Sequence, residues 1–440
     1  MASTHLQRSI STTGNRKKWT WSAWVKRSAL KASGSTYMWS ENNSPYFSTF
    51  MFTDDSIRYY EYDNAFQTQI KTNRVFRDTS AWYHIVLTVD TAQATSTDRV
   101  KIYINGVQET SMSISTYPSQ NFDTFVNTSG QTLKIGVESS GSNFDGLMTH
   151  IHFCDGYAYS PTDFGSTDST TGIWKPITSP SVTYGTNGYF LDFANSSDMG
   201  NDVSGNNNDF TVTGTMTQTI DTPSNVFATF NALYNSNQNL SNGNLSATNT
   251  TSTWNSRAST LAGSSGKYYA EYKINKPGTS YHMNGVGDID YIVPSTHAGA
   301  GTGLIAYYSD SGEKYVEGTN TSYGDTYGDG DIIGIALDLD NGYVYFSKNG
   351  TWQNSGNPTS GASGTGGIAL PTTGTYAFTE SVRSATSSNS KVDANFGNGY
   401  FGTTAVASAG TNSGIGTFEY DVPSGYKALC TKNINEQEYS

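Results

Sequence analysis

The sequence predicts an all-β protein built from two β-sandwich domains. Apolar and polar residues alternate with a period of two along the 440-residue chain, whereas helical periodicity is hard to find. Asn-Gly pairs stand between alternating segments, where they predict tight turns with positive φ at both central residues. The length allows two or three domains, each able to bury a core. Short strands joined by polar turns are typical of sandwiches and barrels.

The Asn-Gly pairs place the predicted hairpins. Residues 100–104 alternate between apolar and polar side chains, and Asn105-Gly106 follows, which predicts a strand, a turn and a return strand. In the second half the same pattern recurs, with turns at Asn341-Gly342 and Asn349-Gly350. The predicted division between the two halves lies near Thr222-Pro223.

The segments around this division are rich in turn-forming residues. Residues 201–209 are mostly Asn and Asp, and residues 235–266 are rich in Asn, Ser, Thr and Gly, which compete with regular backbone pairing. We therefore predict an N-terminal arm at 1–15, a first sandwich at 16–222, a polar, loop-rich connection at 223–265 and a second sandwich at 266–440.

Composition excludes several classes of protein. The net charge is −12 and the 25 basic residues are scattered, whereas a nucleic-acid binder needs clustered cations. No stretch approaches the roughly 18 apolar residues of a membrane span. The cysteines, Cys154 and Cys430, are too few for a disulfide framework or a four-cysteine zinc site. The N-terminal residues lack the apolar core of a signal peptide, so we expect synthesis in a cytoplasm without general secretory export.

A cluster of basic residues lies near the start of the chain. Its members are Arg16, Lys17, Lys18, Lys26, Arg27 and Lys31. The cluster is interpreted either as a solvated face at the root of the first strand or as a contact to an acidic partner surface.

Three segments of the first half indicate an opening strand, a core strand that begins with tryptophan, and its neighbouring hairpin. They are Trp-Thr-Trp-Ser-Ala-Trp-Val-Lys-Arg at 19–27, Ala-Trp-Tyr-His-Ile-Val-Leu-Thr-Val-Asp at 81–90, and Val-Lys-Ile-Tyr-Ile-Asn-Gly-Val at 100–107. Together with residues 144–156, they resemble the concanavalin A-like, laminin-G-type jelly rolls, over residues 16–165.

The second half carries a more specific set of segments. They are Gly-Asp-Ile-Ile-Gly-Ile-Ala-Leu-Asp-Leu-Asp-Asn-Gly at 330–342, Tyr-Val-Tyr-Phe-Ser-Lys-Asn-Gly at 343–350, Val-Asp-Ala-Asn-Phe-Gly at 392–397 and Gly-Lys-Tyr-Tyr-Ala-Glu-Tyr at 266–272. Residues 266–400 thus resemble the SPRY family. The resemblance implies a two-sheet binding module without catalysis that uses loops at one end.

Four further segments accompany these two domains: 155–165, 202–212, 221–225 and 425–431. The combination resembles a type of protein common in bacteriophage genomes, notably those of marine phages. The resemblance implies a virion protein of the tail fibre or appendage type, made in the host cytoplasm and displayed on the particle surface. Its partners would be other virion proteins and host-surface glycans, with the arm and the basic cluster docking onto the particle. A homotrimer would suit a fibre, although no coiled-coil heptad enforces one.

The segment Glu61-Tyr62-Asp63-Asn64-Ala65-Phe66 is the nearest match to the carboxylate motif of laminarinase-type hydrolases, which share the concanavalin-like fold. Period two places Glu61 and Asp63 on one face. Phe66 stands where the third carboxylate would be, so the general acid of a retaining mechanism is missing. We therefore expect no enzyme activity and interpret the segment as a solvent-facing strand edge.

The sequence offers a candidate zinc site and two candidate calcium loops, but we expect neither a metal nor another cofactor. His150, His152 and Cys154 would share one strand face, but three same-face ligands do not wrap a tetrahedral zinc ion easily. Two oxygen-rich loops are weak calcium candidates, and both also match ordinary turns. Their residues are Asp202, Asn206, Asn207, Asn208 and Asp209 in the first loop, and Asp325, Asp329 and Asp331 in the second.

Recognition therefore remains as the function. Exposed aromatic side chains stack on sugar rings because the apolar face of a pyranose matches a flat side chain. The candidates on predicted loops of the second domain are Tyr281, His282, Tyr307, Tyr308, Tyr323, Tyr327 and Trp352. Most tyrosines of a sandwich instead pack at sheet edges or under loops.

Three functions stay open at this point. The leading hypothesis is a non-enzymatic virion surface protein that binds host carbohydrate or a neighbouring virion protein. The second is a capsid decoration or adaptor protein with a purely structural role. The third, a polysaccharide-degrading enzyme, lacks a mechanism in the residues found.

Overall fold

The computed structural model describes residues 4–30, 34–138, 143–234, 237–276, 279–293, 296–384, 389–407 and 409–439. The chain divides into two compact units, Met1–Gln218 and Thr219–Ser440. In each unit the strands form two main sheets that enclose an apolar core, so the all-β fold class with two sandwiches is confirmed. Among the described residues, no helix has the length and apolar character needed to cross a bilayer.

The first unit consists of two facing sheets. Its strands, within the described residues, are β1 (His5–Ser9), β2 (Lys18–Arg27), β3 (Ser35–Asn43), β4 (Tyr46–Thr53), β5 (Ser56–Asp63), β6 (Phe66–Val75), β7 (Trp82–Asp90), β8 (Val100–Ile104), β9 (Val107–Glu109), β10 (Met112–Thr116), β11 (Thr132–Ile135), β12 (Gly146–Asp155), β13 (Gly165–Thr167), β14 (Trp174–Pro176), β15 (Tyr189–Leu191) and β16 (Thr211–Thr213). The eight-stranded sheet has the order β10-β6-β5-β4-β3-β11-β1-β16, and the six-stranded sheet has the order β15-β12-β2-β7-β8-β9.

Aromatic rings from both sheets fill the core of the first unit. Alternation along β2 turns Trp19 and Trp21 inward, and both are fully buried. Trp19 lies 6.0 Å from Trp39 of the opposite sheet, and Trp21 lies 5.4 Å from Phe50 in an edge-to-face contact, both measured between ring centroids. Burial of each large ring stabilises the sandwich by roughly 2–3 kcal/mol.

The second unit has the same layered organisation. Its elements, within the described residues, are β17 (Asn239–Ser241), β18 (Ser246–Asn249), β19 (Asn255–Ala258), β20 (Lys267–Asn275), β21 (Ser280–Asp288), β22 (Leu304–Tyr308), β23 (Glu313–Val316), β24 (Thr319–Ser322), β25 (Ile332–Asp338), β26 (Tyr343–Lys348), β27 (Thr351–Trp352), β28 (Ile368–Ala369), β29 (Tyr376–Ser384), β30 (Ser390–Asn395), β31 (Tyr400–Phe401), β32 (Thr404–Ala405), β33 (Lys427–Ala428) and α1 (Thr431–Tyr439). One main sheet runs β17-β18-β30-β20-β25-β26-β27, with β28 and β33 pairing at its side, and the other runs β19-β29-β21-β22-β23-β24.

The two sheets of the second unit also meet through aromatic rings. Tyr272 and Phe396, from the first of these sheets, are fully buried together with Phe378 from the other. Phe396 lies 5.9 Å from Tyr272 and 6.1 Å from Phe378 between ring centroids. The inward positions of β20 and β29 thus interleave, as the period-two pattern requires.

Two of the predicted segment boundaries are wrong. The arm expected at 1–15 contains β1, which pairs with β11 on one side and β16 on the other, because Leu6 completes the apolar core. The connection expected at 223–265 contains β17, β18 and β19, which belong to the two sheets of the second unit. Asn and Ser reduce strand propensity, but cross-strand pairing overrides that weak preference.

The predicted hairpin turns differ in detail. Asn105-Gly106 and Asn349-Gly350 join β8 to β9 and β26 to β27, and all four residues have positive φ, as predicted. At Asn341-Gly342 only Gly342 has positive φ. There the Gly342 amide donates to the Asp338 carbonyl at 2.9 Å, which closes a longer loop between β25 and β26.

Candidate functional site

Four of the seven aromatic and histidine side chains predicted to bind a ligand are core residues. His282 on β21 and Tyr307 on β22 point between the sheets, and both are fully buried. Tyr323 and Tyr327 are also buried, and the Tyr327 hydroxyl donates to the Tyr307 carbonyl at 2.7 Å. The expectation that these four side chains are exposed on loops is wrong, because residue composition does not reveal which loops fold back over a sheet.

The structure brings two of the predicted residues together. Tyr281 on β21 and Tyr308 on β22 are half-buried on the outer face of their sheet, with ring centroids 6.2 Å apart. The Arg383 guanidinium lies 5.5 Å from the Tyr281 ring centroid, and Trp254 lies 6.2 Å from Tyr308. Trp352, the remaining candidate, is half-buried on β27 in the other sheet and does not join this group.

The carboxylate segment of β5 faces inward. Glu61 is fully buried and accepts hydrogen bonds from the Phe125 amide at 2.7 Å, the Ser48 hydroxyl at 2.8 Å and the Tyr59 hydroxyl. Burial raises the pKa of Glu61 to about 7, against the lowering effect of these donors. The Glu61 carboxylate therefore binds the loop at Phe125 to the sheet. The predicted solvent-facing strand edge is wrong at this residue.

The opposite face of β5 carries a group of aromatic side chains that the sequence reasoning missed. Alternation turns Arg58, Tyr60 and Tyr62 outward, next to Phe47 of β4 and Phe66 of β6. Ring centroids are 5.1 Å apart for Tyr62 and Phe66, 5.5 Å for Tyr60 and Phe66, and 6.3 Å for Phe47 and Tyr62. These five residues are called the ring surface below.

The ring surface combines a cation, Arg58, with an exposed aromatic ring, Phe66. The Arg58 guanidinium lies 5.0 Å from the Tyr60 centroid and 5.2 Å from the Phe66 centroid. Phe66 is 45% exposed, and together with the neighbouring rings it makes a contiguous aromatic patch rather than a single exposed side chain. The sequence contains a signal for this surface, because Tyr60 and Tyr62 alternate with Glu61 and Phe66 follows after a short turn.

The histidine and cysteine pattern of β12 does not form a metal site. A β-bulge between Thr149 and His152, with a φ of 48° at His150, interrupts the alternation that would align the three ligands. His152 is buried and stacks on Phe190 at 4.1 Å between centroids, and burial lowers its pKa well below the usual value. Within the described residues, no group of three or more His, Cys, Asp or Glu side chains could hold a metal ion.

The first oxygen-rich loop uses its carboxylates to bind its own backbone. Asp202 accepts from the amides of Phe190 at 2.8 Å, Ser204 at 2.9 Å and Asn208 at 2.9 Å. Asp209 accepts from the Asp202 amide at 2.9 Å. In the second loop, Asp329 accepts from the Lys276 amide and Asp331 from the Gly328 amide. These are the contacts of turns rather than of an open calcium site.

We expect a calcium chelator to leave the thermal unfolding midpoint of the full chain unchanged. The Asp202 carboxylate is satisfied by backbone amide donors, so the loop needs no calcium ion to hold its conformation. The measurement is a melting curve with and without EDTA. A midpoint lowered by EDTA and restored by added calcium would contradict this interpretation.

The basic residues near the start of the chain do not form one patch. Lys18 and Lys26 lie at opposite ends of β2, about 26 Å apart at the usual rise per residue. Lys18 pairs with Asp90 at 3.3 Å, whereas Arg27 is buried and pairs with Asp55 at 2.9 Å. Lys31 lies outside the described residues. The expected docking of a basic cluster therefore loses its geometric basis.

Comparisons with known proteins agree with the architecture of both units. Residues 2–163 match the family described as the concanavalin A-like lectin/glucanases superfamily, and residues 267–377 match the SPRY domain. No curated protein sequence matches the chain. The chain thus contains a concanavalin A-like domain followed by a SPRY domain.

Three solved structures illustrate the likeness. The SPRY domain of human HERC1 is 18% identical, with 38% of this chain and 96% of that chain covered and a TM-score of 0.31. The native heptameric SAP-like pentraxin of Limulus polyphemus is 15% identical, with 36% and 73% covered and a TM-score of 0.27. Domain 4 of AbnA, a GH43 extracellular arabinanase of Geobacillus stearothermophilus in complex with arabinotriose, is 19% identical, with 34% and 65% covered and a TM-score of 0.26. No function is transferred from these proteins.

Proposed function

We propose that this chain, in which a concanavalin A-like domain precedes a SPRY domain, is a non-enzymatic surface protein of a bacteriophage particle that binds host-surface carbohydrate. The lectin branch of the first family supports carbohydrate as the ligand. The resemblance of segments 155–165, 202–212, 221–225 and 425–431 to bacteriophage proteins supports a place on the virion. The ring surface is the single observation that carries the binding function.

The ring surface has the composition of a sugar-binding platform. The exposed ring of Phe66, next to Tyr60 and Tyr62, offers flat apolar area for the C–H face of a pyranose. The phenol hydroxyls and the Arg58 guanidinium supply donors for ring hydroxyls at its border. Glu61 is buried on the inner face of the same strand, so its carboxylate is not placed to cleave a sugar bound on the ring surface.

An outer sheet face of the second unit has the residue types of a protein-binding surface. Tyr281 and Tyr308 lie side by side with Arg383 on an outer sheet face. Tyrosine and arginine are enriched at the centres of protein interfaces. We infer that this face contacts a neighbouring virion protein, while the first unit binds the host.

The test of the carbohydrate function is binding of the purified full chain to host cells and to a glycan array. We expect Phe66→Ala and Tyr62→Ala each to weaken binding by roughly tenfold, since each removes one stacking ring. The matched control is Tyr291→Ala, because Tyr291 is 46% exposed in the second unit and takes no part in the ring surface.

Three outcomes would contradict this proposal. Intact binding in both ring variants would overturn the ring surface as the site. Absence of any binding, with the protein found in many copies on an icosahedral capsid lattice, would favour the decoration protein. Release of reducing ends from host polymer by the wild-type chain would show an enzyme.

A further inference from the structure

A second candidate site lies on the six-stranded sheet of the first unit, on the side away from the core. It is a groove of about 600 Å³, within the usual range of ligand pockets. Outward side chains of β2, β7 and β8 form its floor, and the loop at 156–160 forms one wall. Its charged and aromatic lining residues include Lys18, Asp90, Asp98, Lys101, Tyr157 and Tyr159. We call it the Tyr157 groove.

The wall of the groove is fixed by hydrogen bonds rather than left loose. Thr20 on β2 donates to the Tyr157 carbonyl at 2.9 Å and accepts from the Tyr159 amide at 2.8 Å. Thr88 on β7 donates to the Tyr159 carbonyl at 2.8 Å. Gly156, with a φ of 90°, makes the turn that returns the loop over the sheet. A preformed wall reduces the entropy lost when a ligand binds.

The charges of the groove cancel in pairs. Lys18 lies 3.3 Å from Asp90, and Lys101 lies 3.0 Å from Asp98, measured from nitrogen to oxygen. Two cations and two carboxylates thus line the groove, so it has no net charge to attract an anion. The chain as a whole carries −12, which repels a polyanion further.

The tyrosines give the groove an apolar side. The Tyr157 and Tyr159 rings are nearly parallel, at 15°, with centroids 5.7 Å apart. The Tyr159 hydroxyl accepts from the Thr183 amide at 2.8 Å, which holds that ring in place. Tyr157 is 40% exposed and so leaves its ring available to a ligand.

We propose that the Tyr157 groove is a second binding site of the first unit, for an uncharged glycan. The ligand stacks a pyranose on Tyr157 and places hydroxyl groups against the two ion pairs, where the carboxylates accept and the ammonium groups donate. Hydrogen bonds to charged groups are the stronger class, and a sugar hydroxyl can both donate to a carboxylate and accept from an ammonium group. A glycan rich in carboxylate or sulfate would meet Asp90 and Asp98 without a free cation to compensate.

The test uses the full chain with the ring surface weakened by Phe66→Ala, so that the binding that remains reports mainly on the groove. On an array of neutral and acidic glycans, we expect this variant to keep binding to neutral glycans, with an affinity that changes little with salt. Adding Tyr157→Ala should weaken that binding by roughly tenfold. Adding Tyr157→Phe should preserve it, since the ring remains.

The controls separate this site from the proposed function. Tyr291→Ala in the same background should leave binding unchanged, and circular dichroism should show that each variant keeps its strand content. Loss of all neutral-glycan binding in Phe66→Ala alone would overturn the groove and keep the ring surface. Equal binding with and without Tyr157→Ala, or binding to acidic glycans only, would also overturn the groove, whatever the ring surface does.

Discussion

We expect the Glu271→Ala variant to lose about 2–4 kcal/mol of unfolding free energy in the second unit. Glu271 on β20 is fully buried, and its carboxylate accepts from the amides of Glu419 at 2.8 Å and Tyr420 at 2.9 Å. The Tyr269 hydroxyl and the Asn395 amide group add bonds at 3.2 Å and 3.3 Å. Alanine leaves the two backbone amides without an acceptor and releases the loop from the sheet. The measurement is denaturant unfolding of the full chain.

The matched controls separate hydrogen bonding from simple loss of charge. Glu271→Gln keeps the size and one acceptor oxygen, so its loss should be smaller than that of alanine. Glu436→Gln changes a carboxylate that is 58% exposed and pairs with Lys427, which contributes little at a surface. If Glu271→Ala unfolds like the wild-type chain, the loop is not held by this carboxylate.

The alternating pattern was sufficient to predict the sandwich architecture and several strands. Residues 100–104 form β8, and the turn at Asn105-Gly106 has the positive φ values that the pair predicts. This success has a local cause, because alternation and turn chemistry act over a few residues. The arm at 1–15 failed because the pairing of β1 with β11 joins residues far apart in sequence.

The candidate site was harder to predict for a related reason. A tyrosine on a short polar segment is expected to be exposed, yet Tyr323 and Tyr327 belong to a loop whose tyrosine rings pack into the core. The fold of such loops depends on long-range contacts that a residue pattern does not contain. Tyr62 was within reach, since period two places it on the opposite face of β5 from Glu61; the error lay in taking the Glu61 face as the solvent-facing one.

Glu380 is a second buried carboxylate, and for this group burial outweighs the hydrogen bonds and charges that would stabilise its ionised form. It is fully buried on β29, directly opposite Arg257 of β19 and Asn284 of β21. Burial raises its pKa to about 8, and a hydrogen bond from Gln238 and the charge of Arg257 only partly offset that rise. The side chain is therefore largely uncharged at neutral pH, and it must ionise inside the core as the pH rises.

The raised pKa makes the folded state less stable at alkaline pH. An unfolded glutamate has a pKa near roughly 4.3, so the folded chain binds the proton more tightly. The resulting stability is fully present below the unfolded value and is lost as the pH rises through about 8. Glu41, Glu61 and Glu271 have pKa values raised to about 8, 7 and 7 and act in the same direction.

The buried histidines make the folded state less stable as the pH falls, and they do so at lower pH than the glutamates. Burial lowers the pKa values of His84 and His282 to about 3, so the stability that they contribute is lost only as the pH falls below roughly 6.5. Between about pH 6.5 and about pH 8.5 the raised pKa values of the glutamates set the main trend. We expect the thermal unfolding midpoint to fall steadily across that range.

Glu380→Gln should remove part of this fall, because the amide keeps the size of the uncharged acid and cannot ionise. We expect the unfolding free energy gained by the variant, relative to the wild-type chain, to be about 1–2 kcal/mol larger at about pH 8.5 than at about pH 6.5. Calorimetry at both pH values measures the difference, with Glu317→Gln as the exposed control, since Glu317 lies at the surface of the same unit. A midpoint independent of pH in this range, or an equal gain at both pH values, would show that the pKa of Glu380 in the folded core is not raised into this range. The second result would instead assign the gain to packing, because a change in packing has no reason to follow the proton concentration.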